Sequence, residues 1–148
     1  MVDLNLALSQ AVAGSHTAES LLISPPQLAE FLPVAIFACE AAGRLRWFNT
    51  RAAQLWGRFP KVGEDVERLS GRHQLFALDG SSLPQAELPL ARVLRTGEAA
   101  EGVEGSVERP DGTRVVVTMH ICALRDADGN VIGAIACLHG GDRTARLL

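Results

Sequence analysis

The sequence predicts an α+β domain, and its changing apolar period is the first sign. Early residues recur at helical spacing, whereas the last third alternates in strand fashion between Asp-Gly turns. Between these zones lie short stretches that open on Asn or Pro and close on Gly, as brief helices do. The length, 148 residues, suits one domain with a single core. Hydrophobic residues make up 47% and charged ones 21%, a globular balance rather than a disordered one. Net charge is −3, and the 14 Lys+Arg are scattered, Lys61 being the only lysine. A nucleic-acid-binding face is therefore disfavoured.

Leu4, Ala7, Leu8, Ala11 and Val12 form one stripe of a short helix, with Asp3 as cap and Gly14 as stop. Two turns of helix need something to lie on. Residues 15–20 are polar and read as a linker. Ser24-Pro25-Pro26-Gln27 then announces a second helix. Ser24 and Gln27 make a capping box, Ile23 can staple against Leu28, and Leu28, Phe31 and Leu32 form the buried face before Pro33.

From Val34 the period changes. Residues 34–39 and 45–48 read as a hairpin around the turn at 40–43. Asn49 can cap a helix through Leu55 and Trp56 that ends at Gly57. Residues 58–72 read as loop and short helix, and 73–78 as a possible brief strand before Asp79-Gly80. Pro89 opens a helix with Leu90, Val93 and Leu94 on one face, closed by Gly97. Residues 102–109, 113–124 and 130–139 make an antiparallel three-stranded meander. The middle strand, at about 3.3 Å per residue, would run about 40 Å.

These pieces, in this order, resemble the PAS domain superfamily over residues 25–144. Pro33-Val-Ala-Ile-Phe-Ala-Cys-Glu-Ala-Ala-Gly-Arg-Leu-Arg-Trp-Phe-Asn49 resembles the family's first hairpin, ending on the asparagine that opens the next helix. Ala52-Ala-Gln-Leu-Trp-Gly57 is similar to that helix, and Leu88-Pro-Leu-Ala-Arg-Val-Leu-Arg-Thr-Gly97 to the helix before the meander in many bacterial members. Arg109-Pro-Asp-Gly and Leu124-Arg-Asp-Ala-Asp-Gly129 resemble its two later turns, and Asp142-Arg-Thr144 its Asp-x-Thr signal exit. Gly140-Gly141 before that motif departs from the pattern.

The resemblance implies a five-stranded antiparallel sheet in the order 2-1-5-4-3, curled around short helices on one face. It also implies a flanking segment at 1–24, the domain at 25–142 and an exit linker from 143. Val115, Val117, Met119 and Ile121 alternate with Val116, Thr118, His120 and Cys122, and the first set is the more apolar, hence interior. The last strand is apolar on both faces, so its outside needs a cover. The N-terminal helix, from its own chain or a twofold partner, is the candidate, with Leu4, Leu8, Ala11 and Val12 as dimer contacts.

An enzyme needs an activated group beside a base. No Gly-x-Ser-x-Gly, phosphate loop or His-Glu-x-x-His is present, and Glu64, Asp65 and Glu67 read as a solvated acidic face. A fold of the ketosteroid-isomerase type would need converging buried acids, and the only interior-strand acid, Glu40, sits at a turn. The odd set Cys39, Cys122 and Cys137 suits reduced, packed thiols in a cytosolic protein. His120-x-Cys122 and Cys137-x-His139 invite a metal reading, but family alignment turns His120 and Cys122 outward and Cys137 inward, splitting the set. No apolar stretch nears the roughly 18 residues of a membrane span. The start, Met1-Val-Asp-Leu-Asn, lacks a signal peptide's basic lead, so a cytoplasmic chain is expected.

Cofactor modes implied by the resemblance can be tested residue by residue. Flavin and p-hydroxycinnamoyl attachment need a central cysteine, and none lies between Cys39 and Cys122. Haem usually takes an axial histidine from the helix at 88–96, which has none; His73 could serve only by another geometry. All three modes are disfavoured and the cofactor stays unassigned. The expected interior is lined by Phe37, Cys39, Trp47, Leu55, Phe76, Leu90, Val93, Leu94, Val117, Met119, Ile121, Ile135 and Cys137. These residues either fill a core or line a pocket for a small apolar ligand.

The expectation is therefore a bacterial sensor module, dimeric, relaying a conformational bias through Asp142 and Thr144 to an effector, as in two-component regulation. A ligand-free dimerisation module is the alternative. Because the chain stops four residues past Thr144, it is expected to be excised from a longer protein. A sensor kinase, cyclic-dinucleotide enzyme or transcription regulator would fit.

Overall fold

A computed structural model describes residues 18–23, 25, 27–66, 75–84 and 87–140. Its strands are β1 (Ala35–Glu40), β2 (Leu45–Phe48), β3 (Leu75–Phe76), β4 (Ala100–Glu108), β5 (Arg114–Arg125) and β6 (Val131–His139). They form one antiparallel sheet in the order β2-β1-β6-β5-β4-β3. The sheet thus has six strands where five were expected. The sixth is β3, whose Leu75 and Phe76 pair with Val107 and Ser106 on the open edge of β4. The remaining five keep the expected order. Among the described residues three α-helices accompany the sheet: α1 (Ala18–Ile23), α2 (Thr50–Trp56) and α3 (Pro89–Thr96).

Tight turns hold the meander in register. Asp111 Oδ1 accepts from the Thr113 hydroxyl at 2.6 Å and its backbone N–H at 2.9 Å, and these bonds hold its carboxyl below the usual carboxylate range. Asp126 does the same through the N–H groups of Asn130 and Asp128. Gly112 and Gly129 complete the turns at φ +89° and +86°, a region L side chains rarely adopt.

Each helix is fixed at its ends. Asn49 caps α2, its Oδ1 accepting from Ala52 N–H at 3.0 Å, and Glu30 accepts from Thr50 N–H at 3.0 Å. Arg109 Nε donates to the Leu55 carbonyl at 2.9 Å, meeting one of the carbonyls that α2 leaves unbonded at its C-terminus. Pro89 starts α3, and Gly97 at φ +75° ends it.

β1 and β6 are buried on both faces, so the core has two layers. On the inner face Phe37, Cys39, Val117, Met119, Ile121 and Ala136 pack with Trp56 of α2 and Val93 of α3. On the outer face Ile36, Ala38, Trp47, Leu124, Ile135 and Cys137 pack under Leu21 of α1. Ala18 to Ser20, expected as linker, are therefore helical, while the helix expected at 4–12 lies outside the described residues. A six-residue helix would not hold its shape in water. Here its last carbonyls are met from β2: Trp47 Nε1 donates to Leu21, and Arg46 Nε to Leu22 at 3.1 Å.

The segment before β1 departs from expectation. It is a 3₁₀ turn, Gln27–Glu30, not a helix with an α-helical apolar stripe. Its tighter winding turns Ala29 inward and leaves Leu28 and Phe31 at 67% and 83% exposure; only Leu32 of the expected face is partly buried. Ile23, at 74% exposure, does not staple. Ser24 and Pro26 of the expected cap lie outside the described residues. Among those residues, no helix is long and apolar enough to cross a membrane.

Candidate functional site

Between the inner face of the sheet and α3 lies a cavity of about 70 Å³. Its walls are Phe37, Ala136 and Leu138 of the central strands, Met119 and Ile121 of β5, Val107 and Leu75 at the edge, Trp56 of α2, Val66, and Leu88 and Leu90 at the start of α3. Not one carries a charge. At Ala136 β6 presents a small side chain to this wall, where a larger residue would fill the space. Phe37 and Trp56 flank it with ring centroids 5.3 Å apart at 53°, a tilted aromatic pair.

A second, larger cleft of about 290 Å³ adjoins it. It is walled by Ala41, Ala42 and Gly43 of the β1–β2 turn, Val66, and Leu90, Ala91, Leu94 and Arg95 of α3. Val66 and Leu90 belong to both walls.

The structure brings together part of the expected lining. Phe37, Leu90, Met119 and Ile121 wall the cavity, and Leu94 the cleft. Cys39, Val93 and Val117 are buried in the inner core behind it, and Leu55 packs against that core. The alternation of β5 follows expectation, with Val115, Val117, Met119 and Ile121 inward.

Trp47, Ile135, Cys137 and Phe76 stand corrected: all four lie on the outer face. Trp47 faces out because the β1–β2 register shifts between Ala38 and Cys39. Leu45 pairs with Cys39 and Trp47 with Ala38, so Arg46 is the extra residue of a bulge that breaks simple alternation. Ile135 and Cys137 pair with Ala38 and Ile36 of β1, whose side chains point outward. β6 is apolar on both faces, so its sequence carries no phase. Phe76 pairs with Ser106, opposite Val116, and its ring lies beneath Arg114 with the guanidinium carbon 3.5 Å from the ring centroid.

The same register corrects the split of the His/Cys set. His120 pairs directly with Cys137, Cys122 with Ile135, and His139 with Thr118, so all four chemistry-bearing residues share the outer face. The two imidazoles stack with centroids 5.8 Å apart and planes 7° apart. Among the described residues, no group of three or more His, Cys, Asp or Glu is disposed to hold a metal ion. Glu64 is bound to Arg58 at 2.8 Å, a pairing that holds its carboxyl low; Asp65 is exposed; Glu67 lies outside the described residues. His73, Leu4, Leu8, Ala11, Val12, Asp142 and Thr144 lie outside them too.

Trp56, Val66, Leu75, Leu88, Val107, Ala136 and Leu138 were missed. For Trp56 a signal was present: Ala52 and Trp56 stand at i, i+4 and share the buried face of α2.

Burial pushes the Cys39 and Cys137 thiols up to about 12, and raises Cys122 as well, with Glu101 adding to that shift. Brief iodoacetamide treatment of the folded protein at pH 7.5 is expected to modify Cys122 first. Rapid labelling of Cys39 or Cys137, read by peptide mass spectrometry, would contradict their burial.

The PAS fold family matches residues 29–146. The chain belongs to the PAS fold family. Solved structures agree on the fold. The PAS domain of an HTR-like protein from Haloarcula marismortui is 20% identical, with 76% of this chain and 84% of that one covered and a TM-score of 0.55. The LOV domain of a blue-light activated histidine kinase from Erythrobacter litoralis is 20% identical, with 73% and 95% covered and a TM-score of 0.55. The E. coli DhaR(N)–DhaL complex contains a chain 16% identical, with 76% of this chain and 33% of that one covered and a TM-score of 0.53. The curled antiparallel sheet with short helices on its inner face is thus a PAS sheet, and PAS domains serve in general as sensory signalling domains.

Proposed function

We propose that this PAS domain senses a small, mostly apolar ligand, or a protein partner, and relays a conformational bias to an effector domain as a homodimer. The observation that supports the reading is the uncharged gap beside the small inward residue Ala136 of β6. It lies against β6, the last described strand. A ligand there can signal only by preferring one arrangement of the last strands over another.

The domain would occupy residues 25–142, with 1–24 flanking it and 143–148 beginning the exit through Asp142 and Thr144. Leu4, Leu8, Ala11 and Val12 would lie at the dimer seam beside the outer sheet face. Effectors of the kinase, cyclic-dinucleotide or transcription-regulator classes fit such a relay, and the histidine kinase among the similar structures favours the first. No catalytic step is assigned to the domain, nor a nucleic-acid or membrane partner. Its unpaired thiols suit the cytoplasm.

A ligand-free module that only recruits a partner is the second reading, favoured by the small volume of the cavity. At about 70 Å³ it is well below the roughly 300–1,000 Å³ of small-molecule pockets. Native mass spectrometry and solvent extraction of the purified protein separate the two. A bound apolar compound at any occupancy supports sensing; an empty protein that still dimerises supports recruitment. Leu8→Glu is expected to lower the dimer fraction in light scattering, and an unchanged mass would remove Leu8 from the seam.

A further inference from the structure

We propose that Arg125 is a clasp tying α3 to the β5–β6 turn, and that widening of the cavity opens it. This inference rests on the sensing reading and supplies the first step of its relay.

The clasp is built on a glycine. Arg125 is the last residue of β5, and its Nη1 donates to the Gly129 carbonyl of the turn at 2.7 Å. Its Nη2 donates to the Gly97 carbonyl at the end of α3 at 3.3 Å. A Cβ on Gly97 would overlap this guanidinium, so the arginine is seated where any other residue would carry its side chain. A cation in that place also meets the negative end of the helix dipole. One side chain thereby joins a helix of the cavity wall to a turn of the meander.

The walls of the cavity differ in how they are held. At about 70 Å³ the space must widen to admit a ligand of the usual size, roughly 300 Å³ or more. β1, β5 and β6 are bonded to strands on both sides. α2 is held at both ends, by Asn49 and Glu30 at its start and by Arg109, whose stem packs over Gly57, at its close. α3 has no side-chain cap at Leu88, and it is at this uncapped end that Leu88 and Leu90 wall the cavity. α3 is therefore the wall that yields. An outward tilt about its clasped end turns the Gly97 carbonyl away from Nη2, the longer of the two Arg125 bonds, and frees the turn. By linkage, opening the clasp eases widening of the cavity to the same degree.

The test is amide hydrogen exchange of the folded protein, read residue by residue by NMR. Gly97 N–H, bonded to the Val93 carbonyl, reports α3; Asp126 N–H, bonded to the Asn130 carbonyl, reports the turn; Ala52 N–H reports α2. Arg125→Ala is expected to speed exchange at Gly97 and Asp126 about fivefold, the scale of one net hydrogen bond, and to leave Ala52 unchanged. Ala136→Phe, a wedge pointing into the cavity, stands in for a ligand, with Ala136→Leu as the milder wedge should the first not fold. The wedge is expected to speed Gly97 and Asp126 while Arg125 is present, and to add nothing at Asp126 once Arg125→Ala has opened the clasp.

A turn that ignores the wedge, or that speeds equally in both backgrounds, would overturn the clasp; the second result would route the effect through β6 itself. Arg125→Ala acting at Asp126 alone would reduce Arg125 to a brace of its own turn, and equal acceleration at Ala52 would make it a prop of the whole fold. None of these readouts uses a ligand, so a clasp that fails here leaves the mass-spectrometric test of sensing standing.

Discussion

Gly133→Ala is expected to lower the stability of the fold by about 3 kcal/mol or more, although it adds a single methyl group to a strand. Gly133 sits in β6 between Glu40 of β1 and Leu124 of β5, on the outer face beneath α1. A Cβ placed there would stand 2.3 Å from the Cys39 carbonyl oxygen, 3.3 Å from the Cys39 carbonyl carbon and 2.9 Å from Leu22 Cδ2. Leu22 could swing aside, but the Cys39 oxygen is backbone in a central strand. Relief would have to come from prying β1 from β6 or lifting α1. Urea denaturation of Gly133→Ala beside the native protein measures the effect. A loss under about 1 kcal/mol would mean that the two central strands are not held this close.

The second large effect is expected at Asn49, which is 1% exposed and spends its side-chain amide on four backbone bonds. Oδ1 accepts from Ile36 N–H at 3.0 Å and from Ala52 N–H at 3.0 Å; Nδ2 donates to the Ala29 carbonyl at 2.8 Å and the Val34 carbonyl at 2.9 Å. One residue thus ties the 3₁₀ turn, β1 and α2 together. Asn49→Ala leaves these groups buried without partners and is expected to cost about 3 kcal/mol, since each unmet group costs about 1–3 kcal/mol before relaxation.

Asn49→Asp adds a sign test. A carboxylate cannot donate to two carbonyls, so its folded pKa would rise above the unfolded value of about 3.9. The variant would then be closest to the native protein below that unfolded value. It would lose ground as pH rises through the raised folded value. Denaturation at pH 3.5 and pH 7 checks this. An Asp variant as stable as the native protein at pH 7 would refute the two donated bonds.

Much of this architecture is legible in the sequence because its signals are local. Asn49 and Gly57 mark the ends of α2, Pro89 and Gly97 those of α3, and Asp-Gly pairs fix the meander. The phase of β5 reads correctly because one face is visibly more apolar than the other. The site was harder, since side-chain direction in a strand depends on pairing. The bulge at Arg46 is invisible in four residues of β2, yet it sends Trp47 to the opposite face and lets its indole hold α1. β6 offers no contrast between faces, so only its pairing with β1 decides that Ala136 lines the cavity and Cys137 does not. The cleft was missed for another reason. Its turn-side wall is two alanines and a glycine, residues that define a space by their smallness.

The sorting of residues to the two faces of this PAS sheet carries both the sensing reading and the assignment of the cavity. Nuclear Overhauser contacts in the folded protein test it most directly. The Trp47 indole N–H is expected to contact Leu21 in α1, while the Met119 methyl contacts Gly105, where a Cβ would stand 3.6 Å from Met119 Cε. A contact between the Trp47 ring and Met119, with none to Leu21, would put tryptophan inside the chamber and contradict the account.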